Sequence, residues 1–366
     1  MNNIHNFNEH KKYLLSNQSG IILITTLWVI FIILIIALGL SRKTSVDLAF
    51  GKFVFSKVQA DYAAQSGIVY ALHEIRKDTE DEESTKIDTH FACGVVLKQE
   101  QGLESVWDKI AVGNDAKFSV LYNEKNGSSV QKFLGLSDEE RKIDINTLRP
   151  QDVGVLTFLL TLQGVDEAQA RIAAASIIDW KDPDEEVTES PSGAETEYYK
   201  TQGYSYLCKN TPFDSVGELK LVRGVTPQIF QKLKNYVTVF PKDGRFQINV
   251  NTAGSLVIKA VLMSVVGVST NTEEADADSL VQKIVEQRNG DDGIWHTADD
   301  QVVDEKNISM NAKEKTLFYF LMQYHTPVSR YLRITSEGVA GSRGVTTKIT
   351  AIVDREDFST VYWKRE

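Results

Sequence analysis

The side chains in this chain that could do chemistry are mainly carboxylates, and they are grouped in two loops. The first loop carries Asp182 and Asp184 at one end and Glu195 and Glu197 at the other. Calcium takes six to eight hard oxygen ligands from carboxylates, carbonyls and water. A loop that folds back on itself can therefore bring these four groups around one ion; the alternative is a solvated acidic loop without a metal.

The second acidic loop lies between Asn289 and Asp304. Gly290 and Gly293 permit a sharp turn there, and the loop's carboxylates are those of Asp291, Asp292, Asp299, Asp300 and Asp304. The spacing is not that of an EF-hand, and His296 has no neighbouring Cys or His that would favour zinc. The two loops together predict one or two calcium ions, with solvated loops again as the alternative.

The chain lacks the sequence motifs of the common enzyme classes. There is no G-x-S-x-G, P-loop or H-E-x-x-H sequence, and the six histidines are scattered. We therefore predict no catalytic residue and no enzymatic activity. A cell-surface hydrolase held by a signal anchor is an alternative that the missing motifs disfavour.

Composition indicates a folded protein of two or three domains, since the chain has 366 residues with 42% hydrophobic and 25% charged residues. The net charge of -10 argues against a large phosphate-binding surface. The two cysteines, Cys93 and Cys208, can pair only if their geometry permits it, which the sequence leaves open.

The run from Ile21 to Leu40 predicts a membrane-spanning helix. It contains no charged residue and no proline, and fifteen of its residues are Ile, Leu, Val or Phe. Twenty helical residues span about 30 Å, the thickness of the hydrocarbon core. A cleaved secretory signal has a shorter apolar region, so the alternative is a plain signal anchor. Basic residues flank both ends, and the long acidic remainder favours export of the head.

The helix is expected to continue to about Arg76, because no proline precedes Pro150. We predict that its second half buries one apolar stripe against a sheet, formed by Phe50, Val54, Val58, Tyr62, Val69, Leu72 and Ile75. The alanines around Ala60 to Ala64 indicate close helix packing. Strands are predicted near Gly94–Leu97, Phe118–Tyr122, Thr346–Asp354 and Thr360–Trp363.

Two related segments, 138–147 and 246–253, predict an internal repeat of a strand followed by a helix. Their Asn-Thr pairs can cap the following helices. Between and after them, the sequence around Gly164 and Gly224 predicts two helix–Gly-turn–helix units. Such units also occur in DNA-binding hairpins, but Asp166 would repel phosphate, so a membrane-anchored DNA-binding protein is the less favoured alternative.

Gly20 stands directly before the apolar run, after a short polar leader, and this order resembles the prepilin signal. The resemblance implies cleavage after Gly20, with Ile21 as the first mature residue and a site of methylation. Most pilin-like proteins carry Glu at mature position five, whereas this chain has Thr25. The K-type minor pseudopilins of type II secretion systems also lack this Glu. A tip subunit has no subunit above it whose amine the Glu would neutralise, and a buried unpaired carboxylate costs several kcal/mol.

The segment between the two hairpins also resembles the K-type pseudopilins, which have a similar "D-W-x-D-x-D … G-A-E-x-x-Y-Y" pattern. The matching residues here are Ile178-Asp179-Trp180-Lys181-Asp182-Pro183-Asp184 and Ser192-Gly193-Ala194-Glu195-Thr196-Glu197-Tyr198-Tyr199. The resemblance covers most of the chain and is weakest at 80–130 and 270–315. It also implies calcium in the helical domain, at the first acidic loop.

The resemblance implies an α+β fold in which a long N-terminal helix packs on a small antiparallel pilin-like sheet, with a large inserted all-α domain of SAM or helix-hairpin-helix type. The expected boundaries are a leader at 1–20, a membrane span at 21–40, the first part of the pilin-like body at 41–146, an insert at 147–325 (units 147–245 and 246–325) and closing strands at 326–366.

The implied function is capping of the pseudopilus tip, initiation of its assembly and support of protein export. The implied partners are the I- and J-type minor pseudopilins, the prepilin peptidase and exported proteins, with no nucleic acid. The protein would be a single-pass protein of the bacterial inner membrane with its head in the periplasm.

Overall fold

The computed structural model describes residues 7–80, 88, 106–126, 129–267, 271–293, 297 and 299–366. The predicted strand at Gly94–Leu97 lies outside these residues, as does Cys93. The α-helices of the described residues are α1 Phe7–Glu80, α2 Val153–Thr161, α3 Glu167–Lys181, α4 Thr196–Thr201, α5 Pro227–Leu233, α6 Ser255–Met263, α7 Glu274–Arg288 and α8 Ala312–Met322. The strands are β1 Ile110–Val112, β2 Ala116–Asn126, β3 Ser129–Leu134, β4 Ser137–Asp138, β5 Ile143–Asp144, β6 Val237–Thr238, β7 Tyr331–Ala340, β8 Val345–Asp354 and β9 Thr360–Arg365.

Helix α1 is a single element of 74 residues. It is uninterrupted because the sequence offers no proline to break it, and it is longer at both ends than predicted. Between Ile21 and Leu40 every large apolar side chain is at least 50% exposed. Within the described residues, one helix is long and apolar enough to cross a membrane, and it contains this run.

The main sheet is antiparallel, with strands in the order β1-β2-β7-β8-β9. Strand β3 pairs with the second half of β2, and β4 pairs with the start of β7. Gly341 and Gly344 have positive φ angles in the turn between β7 and β8, where glycine adopts the left-handed conformation at no steric cost. The predicted strands at 118–122, 346–354 and 360–363 are confirmed as parts of β2, β8 and β9.

The second half of α1 packs on one face of this sheet through small residues. Ala64, Ile68, Ala71 and Ile75 share a buried cluster with residues of the sheet. At Gly338 an added Cβ would overlap the backbone of Ala60 and Ala64, so glycine is required for this approach.

The buried face of α1 differs from the apolar stripe predicted from sequence. Ile75 is buried and Leu72 is half-buried, as expected. The remaining members of that stripe are 42–67% exposed: Phe50, Val54, Val58, Tyr62 and Val69. The predicted stripe was wrong because the alanine-rich face lets the helix come closer to the sheet, which buries more backbone and small side chains.

The helices α2 to α8 pack around a second hydrophobic core. In the sequence they lie between β4 and β7, which belong to the main sheet. Strand β5 pairs in parallel with β6, and Ile248 makes a parallel bridge to His325. Each of the two repeated segments therefore pairs with the end of the helical stretch that follows it. The Asn-Thr pairs do not cap the next helices: the residues at the N-caps of α2 and α6 are Asp152 and Gly254.

The repeated segments instead close equivalent turns. Asp144 Oδ1 accepts a hydrogen bond from the backbone N–H of Asn146 at 3.0 Å, and Asn249 Oδ1 accepts one from Asn251 N–H at 3.1 Å. Aspartate and asparagine favour such turns because the side chain satisfies a backbone donor two residues on. The feature shared by the two segments is thus a turn that leads the chain into the helices that follow.

Both predicted Gly turns occur between helices. Gly164 has φ +78° and Gly224 has φ +79°. The helices that follow are capped by side chains, since Asp166 accepts from Gln169 N–H and Thr226 accepts from Ile229 N–H. The fold is therefore α+β: a long helix on an antiparallel sheet, with many additional helices.

Candidate metal centre

Three carboxylates converge where α3 ends and α4 begins. Asp179 and Asp182 lie in and just after the last turn of α3, and Glu195 occupies the residue before α4. Each offers an oxygen within 4.8 Å of the others. Asp179 and Glu195 are buried, with exposed fractions of 0% and 4%, so the group lies inside the protein surface.

Asp179 organises the loop that connects the two helices. Its Oδ1 accepts a hydrogen bond from Thr188 N–H at 2.8 Å, and its Oδ2 accepts one from Ala194 N–H at 2.6 Å. Gly193 lies against this carboxylate so closely that an added Cβ would overlap Asp179 Oδ2. Arg223 donates to the carbonyl oxygen of Gly193 at 2.6 Å. The loop is thus folded back over the end of α3, as the sequence analysis expected.

Three other oxygens of this group have no hydrogen-bond donor. Asp182 Oδ1 and both carboxylate oxygens of Glu195 are buried without a hydrogen-bond partner. Burial, followed by the charges of the neighbouring carboxylates, raises the pKa of Asp182 to about 7 and that of Glu195 to about 8. Buried polar atoms are almost always satisfied in folded proteins, so these oxygens indicate a position for a cation. Hard carboxylate oxygens suit calcium.

The structure brings together two of the four carboxylates predicted for this loop. Asp184 is exposed and its Oδ1 accepts from Glu186 N–H at 2.8 Å. Glu197 is exposed and its Oε1 accepts from Thr201 Oγ1 at 3.4 Å. Both lie outside the group of three.

Asp179 is the member that sequence analysis did not assign as a ligand. It stands three residues before Asp182, and residues three apart share one face of a helix. That spacing was the signal that could have identified it.

Cys208 packs beside the centre without being part of it. Its Sγ donates to the carbonyl oxygen of Asp179 at 3.4 Å, and burial raises the pKa of this thiol to about 12. The side chain is therefore a protonated, buried thiol at neutral pH. Because Cys93 lies outside the described residues, pairing of the two cysteines stays open.

The second acidic loop is organised around Asp299. Asp299 Oδ2 accepts from the N–H groups of Asp291 and Asp292 at 2.9 and 3.0 Å, and Oδ1 accepts from Thr297 Oγ1 at 2.7 Å. The Thr297 hydroxyl, followed by the Asp292 N–H, holds the pKa of Asp299 below its ordinary value. This carboxylate is satisfied by the loop itself.

The other two aspartates of this loop are placed further along it. Asp304 caps the 3-10 turn that follows by accepting from Lys306 N–H, and Asp300 is half-buried. Among the residues that the structure describes, the group at Asp179 is the one in which three carboxylates converge.

The predicted processing residues lie within α1. Gly20 has open space around it, with nothing within 4 Å of an added Cβ, and Ile21 is 60% exposed. Thr25 Oγ1 donates to the carbonyl oxygen of Ile22 at 2.9 Å. Thr25 therefore satisfies its hydroxyl within the helix, as a threonine in an apolar environment must.

Comparison with known proteins connects these features to one family. Residues 135–242, which include the candidate metal centre, match the family model described as type II secretion system protein K. The protein K of Klebsiella pneumoniae is 25% identical over 235 residues, 64% of this chain and 66% of that protein. A protein of Escherichia coli K12 described as putative protein K is 23% identical over 96% of this chain and 98% of its own length.

The fold is also similar to that of a solved protein. One chain of the crystal structure titled as the GspK-GspI-GspJ complex of enterotoxigenic Escherichia coli aligns with 88% of this chain and 99% of its own length, with a TM-score of 0.57 and 18% identity. This likeness shows a shared fold, and the family model and the relatives supply the sequence evidence. The chain is therefore similar to protein K of type II secretion systems, in sequence at residues 135–242 and in fold over most of its length, and that protein is a structural component and not an enzyme.

Proposed function

We propose that this protein caps the tip of a type II secretion pseudopilus, initiates its assembly with other minor pseudopilins and so supports protein export. The observation that carries the proposal is the apolar outer face of α1. The side chains of Phe50, Val54, Val58 and Tyr62 are 42–67% exposed beyond the membrane-length run. Exposed apolar surface of this kind marks an interaction site, and a bundle of partner helices would cover it.

The partners that we propose are the I- and J-type minor pseudopilins. The solved relative with the same fold belongs to a complex whose title names these two proteins with it. The prepilin peptidase would cleave after Gly20 and methylate the new N-terminus at Ile21. Exported proteins would be the cargo, and no nucleic acid would bind.

The tip position is supported by two features of the chain. Thr25 stands where a carboxylate would need a neighbouring amine, and a neutral residue avoids an unpaired charge in the membrane. The helices between β5 and β7 add bulk beside the sheet, which is easier to accommodate at the end of a filament than within it. With α1 as an inner-membrane anchor, the head would lie in the periplasm.

We propose the domain boundaries given from sequence: leader 1–20, span 21–40, body 41–146, insert 147–325 and closing strands 326–366. The insert would consist of two SAM-like units, 147–245 and 246–325. The parallel pairings of β5 with β6 and of Ile248 with His325 support this division.

Calcium is the proposed ligand of the metal centre. Asp182 and Glu195 would hold the ion through their unpartnered oxygens, and Asp179 would place the loop around it. The ion would neutralise three converging carboxylates and so stabilise the head by binding only the folded state. A second ion at the loop of Asp291, Asp292, Asp299, Asp300 and Asp304 remains a prediction with weaker geometric support.

The test of the pseudopilin assignment is intact mass and N-terminal sequencing after expression with and without the prepilin peptidase. A new N-terminus at Ile21, dependent on the peptidase, would support the proposal. An uncleaved chain beside a processed control pseudopilin would leave a signal-anchored protein and contradict it. A DNA-binding role is not favoured, because the comparisons point to secretion and Asp166 lies at the first Gly turn.

A further inference from the structure

A cleft separates the sheet from the helical part of the protein, on the face of the sheet opposite α1. Its volume is about 840 Å³, which is in the range of sites that enclose a ligand or a peptide segment. Strands β7, β8 and β9 contribute Arg333, Thr350 and Tyr362 to one wall, and the segment around β6 and the start of α6 forms the other. Neither the metal centre nor the outer face of α1 contributes to it.

The charged lining of the cleft is mainly basic. Its basic residues are Arg141, Lys142, Lys234, Arg333 and Lys348, against the acidic Asp214 and Glu366. Asp214 is already paired with Lys209 and Lys242 at 2.8 and 2.6 Å, and Glu366 is paired with Lys348 at 3.8 Å and with Lys364 at 2.6 Å. In a protein of net charge -10, this concave surface is therefore a local concentration of positive charge, and concave sites focus such a field.

Buried contacts fix part of this basic lining in place. Glu139 is fully buried and accepts from Arg333 Nε at 2.5 Å and from Lys142 Nζ at 3.3 Å. Thr238 in β6 donates to the same carboxylate at 2.5 Å. The Glu139 carboxylate thus fixes the side chains of Arg333 and Lys142. It also links β7 in one wall of the cleft to β6 in the other, so the cleft is preorganised by the fold.

The uncharged lining includes six aromatic residues among aliphatic and polar ones, and one end of the cleft borders an open strand edge. The aromatic residues are Tyr122, Phe133, Phe230, Tyr236, Phe240 and Tyr362. Strand β9 pairs with β8 on one side only, and no described strand pairs with its other side. Aromatic side chains with basic neighbours suit an extended polypeptide, and an open strand edge can align its backbone.

We propose that this cleft binds an extended, acidic, aromatic-containing segment of a partner protein. Charge complementarity favours an acidic segment, because the lining has more basic than acidic residues and a basic segment would be repelled. The six aromatic residues of the cleft and the β9 edge favour a polypeptide over a small anion. This interaction is separate from the proposed tip function and would survive its failure.

Full-length protein in detergent micelles would be tested for binding to a fluorescein-labelled peptide of alternating Glu and Tyr, about ten residues long, which spans ~33 Å when extended. Fluorescence anisotropy would report the affinity, and a Lys-Tyr peptide of equal length is the control ligand. The test variant is Lys234→Glu with Lys348→Glu. The matched control reverses two exposed lysines outside the cleft, Lys200→Glu with Lys315→Glu.

The Glu-Tyr peptide should bind the unmodified protein. Its affinity for the cleft variant should be about tenfold lower, and its affinity for the control variant should be within about twofold of that for the unmodified protein. Near-ultraviolet circular dichroism would confirm that both variants remain folded. Absence of binding to the unmodified protein, equal losses in both variants, or equal binding of the Lys-Tyr peptide would overturn the proposal. Loss of peptide binding on adding phosphatidylglycerol to the micelles would assign the cleft to a lipid headgroup and would also overturn it.

Discussion

Arg355 and Asp88 form a buried ion pair that joins the chain after β8 to the segment between α1 and the sheet. Arg355 Nη1 lies 3.0 Å from Asp88 Oδ1, and the two side chains are 6% and 1% exposed. Arg355 also pairs with Asp78 near the end of α1, and Asp88 accepts from Ser329 N–H at 2.6 Å. The Arg355–Asp88 pair therefore ties the end of α1, the chain after β8 and the return from the helices together.

Replacing Asp88 by Asn should change how stability depends on pH. Burial raises the pKa of Asp88 to about 6, despite Arg355, whose charge lowers it. Between about pH 4 and pH 6 the folded protein then holds a proton that the unfolded chain releases, so the stability of the unmodified protein falls as pH rises through this window. As pH rises through this window, the unfolding free energy of the unmodified protein should fall by up to ~3 kcal/mol relative to that of Asp88→Asn.

Urea unfolding of the full-length protein in micelles, at several pH values across that window, measures this difference. The same groups surround position 88 in both proteins, including Asp78, Asp138 and Arg355, so their own titrations largely cancel. A difference in unfolding free energy that stays constant with pH would contradict the prediction.

Replacing Glu195 by Gln should stabilise the calcium-free protein but abolish the stabilisation that calcium provides. Calcium at about a hundredfold above its Kd should stabilise the unmodified protein by ~2.7 kcal/mol and raise its Tm by several degrees. Glu195→Gln removes a ligand charge, so this gain should be lost. The calcium-free variant should be more stable, because an amide avoids the free-energy cost of holding this carboxyl protonated above its ordinary pKa or charged while buried. Calorimetric titration and thermal unfolding measure the two effects.

The matched control for this change is Glu197→Gln, whose side chain is exposed and lies outside the group of three. It should bind calcium as the unmodified protein does. Equal effects of chelator on the unmodified protein and on Glu195→Gln would remove the metal assignment.

Replacing Gly193 by Ala should open the loop around Asp179. The added Cβ would come within 2.7 Å of Val187 Cγ1 and would overlap Asp179 Oδ2. We expect a loss of ~1–3 kcal/mol in unfolding free energy, together with weaker calcium binding. Gly217→Ala is the control, because its nearest neighbour would be Ser215 Oγ at 3.4 Å; similar losses in both variants would speak against a specific role for Gly193.

Replacing Gly338 by Ala should separate α1 from β7. The methyl group would overlap the carbonyl oxygen of Ala60 and the amide of Ala64, and backbone cannot move aside as a flexible side chain can. The expected cost is ~3 kcal/mol or more, measured by chemical unfolding. Gly51→Ala, in the exposed part of α1 with open space around it, should be neutral or slightly stabilising. A neutral Gly338→Ala would contradict the close packing.

Local patterns in the sequence were sufficient for several features. The helix from the membrane run onward follows from an apolar stretch without proline, and the two Gly turns follow from Gly164 and Gly224 with capping residues behind them. The order of residues around Asp179 and Glu195 predicted both the family and a loop that folds back. These features depend on neighbours in the chain, which the sequence lists directly.

The tertiary structure decided what depends on distant residues. Both faces of α1 carry apolar side chains, so periodicity could not tell that the alanine face meets Gly338 while Phe50 and Tyr62 stay exposed. Many carboxylates flank the first loop, and only the path of the backbone selects Asp179, Asp182 and Glu195. In the cleft, Glu139 connects Arg333 to Thr238 by hydrogen bonds, and Arg333 and Glu139 are 194 positions apart in the sequence. No local sequence pattern predicts this contact, because it depends on how distant segments pack.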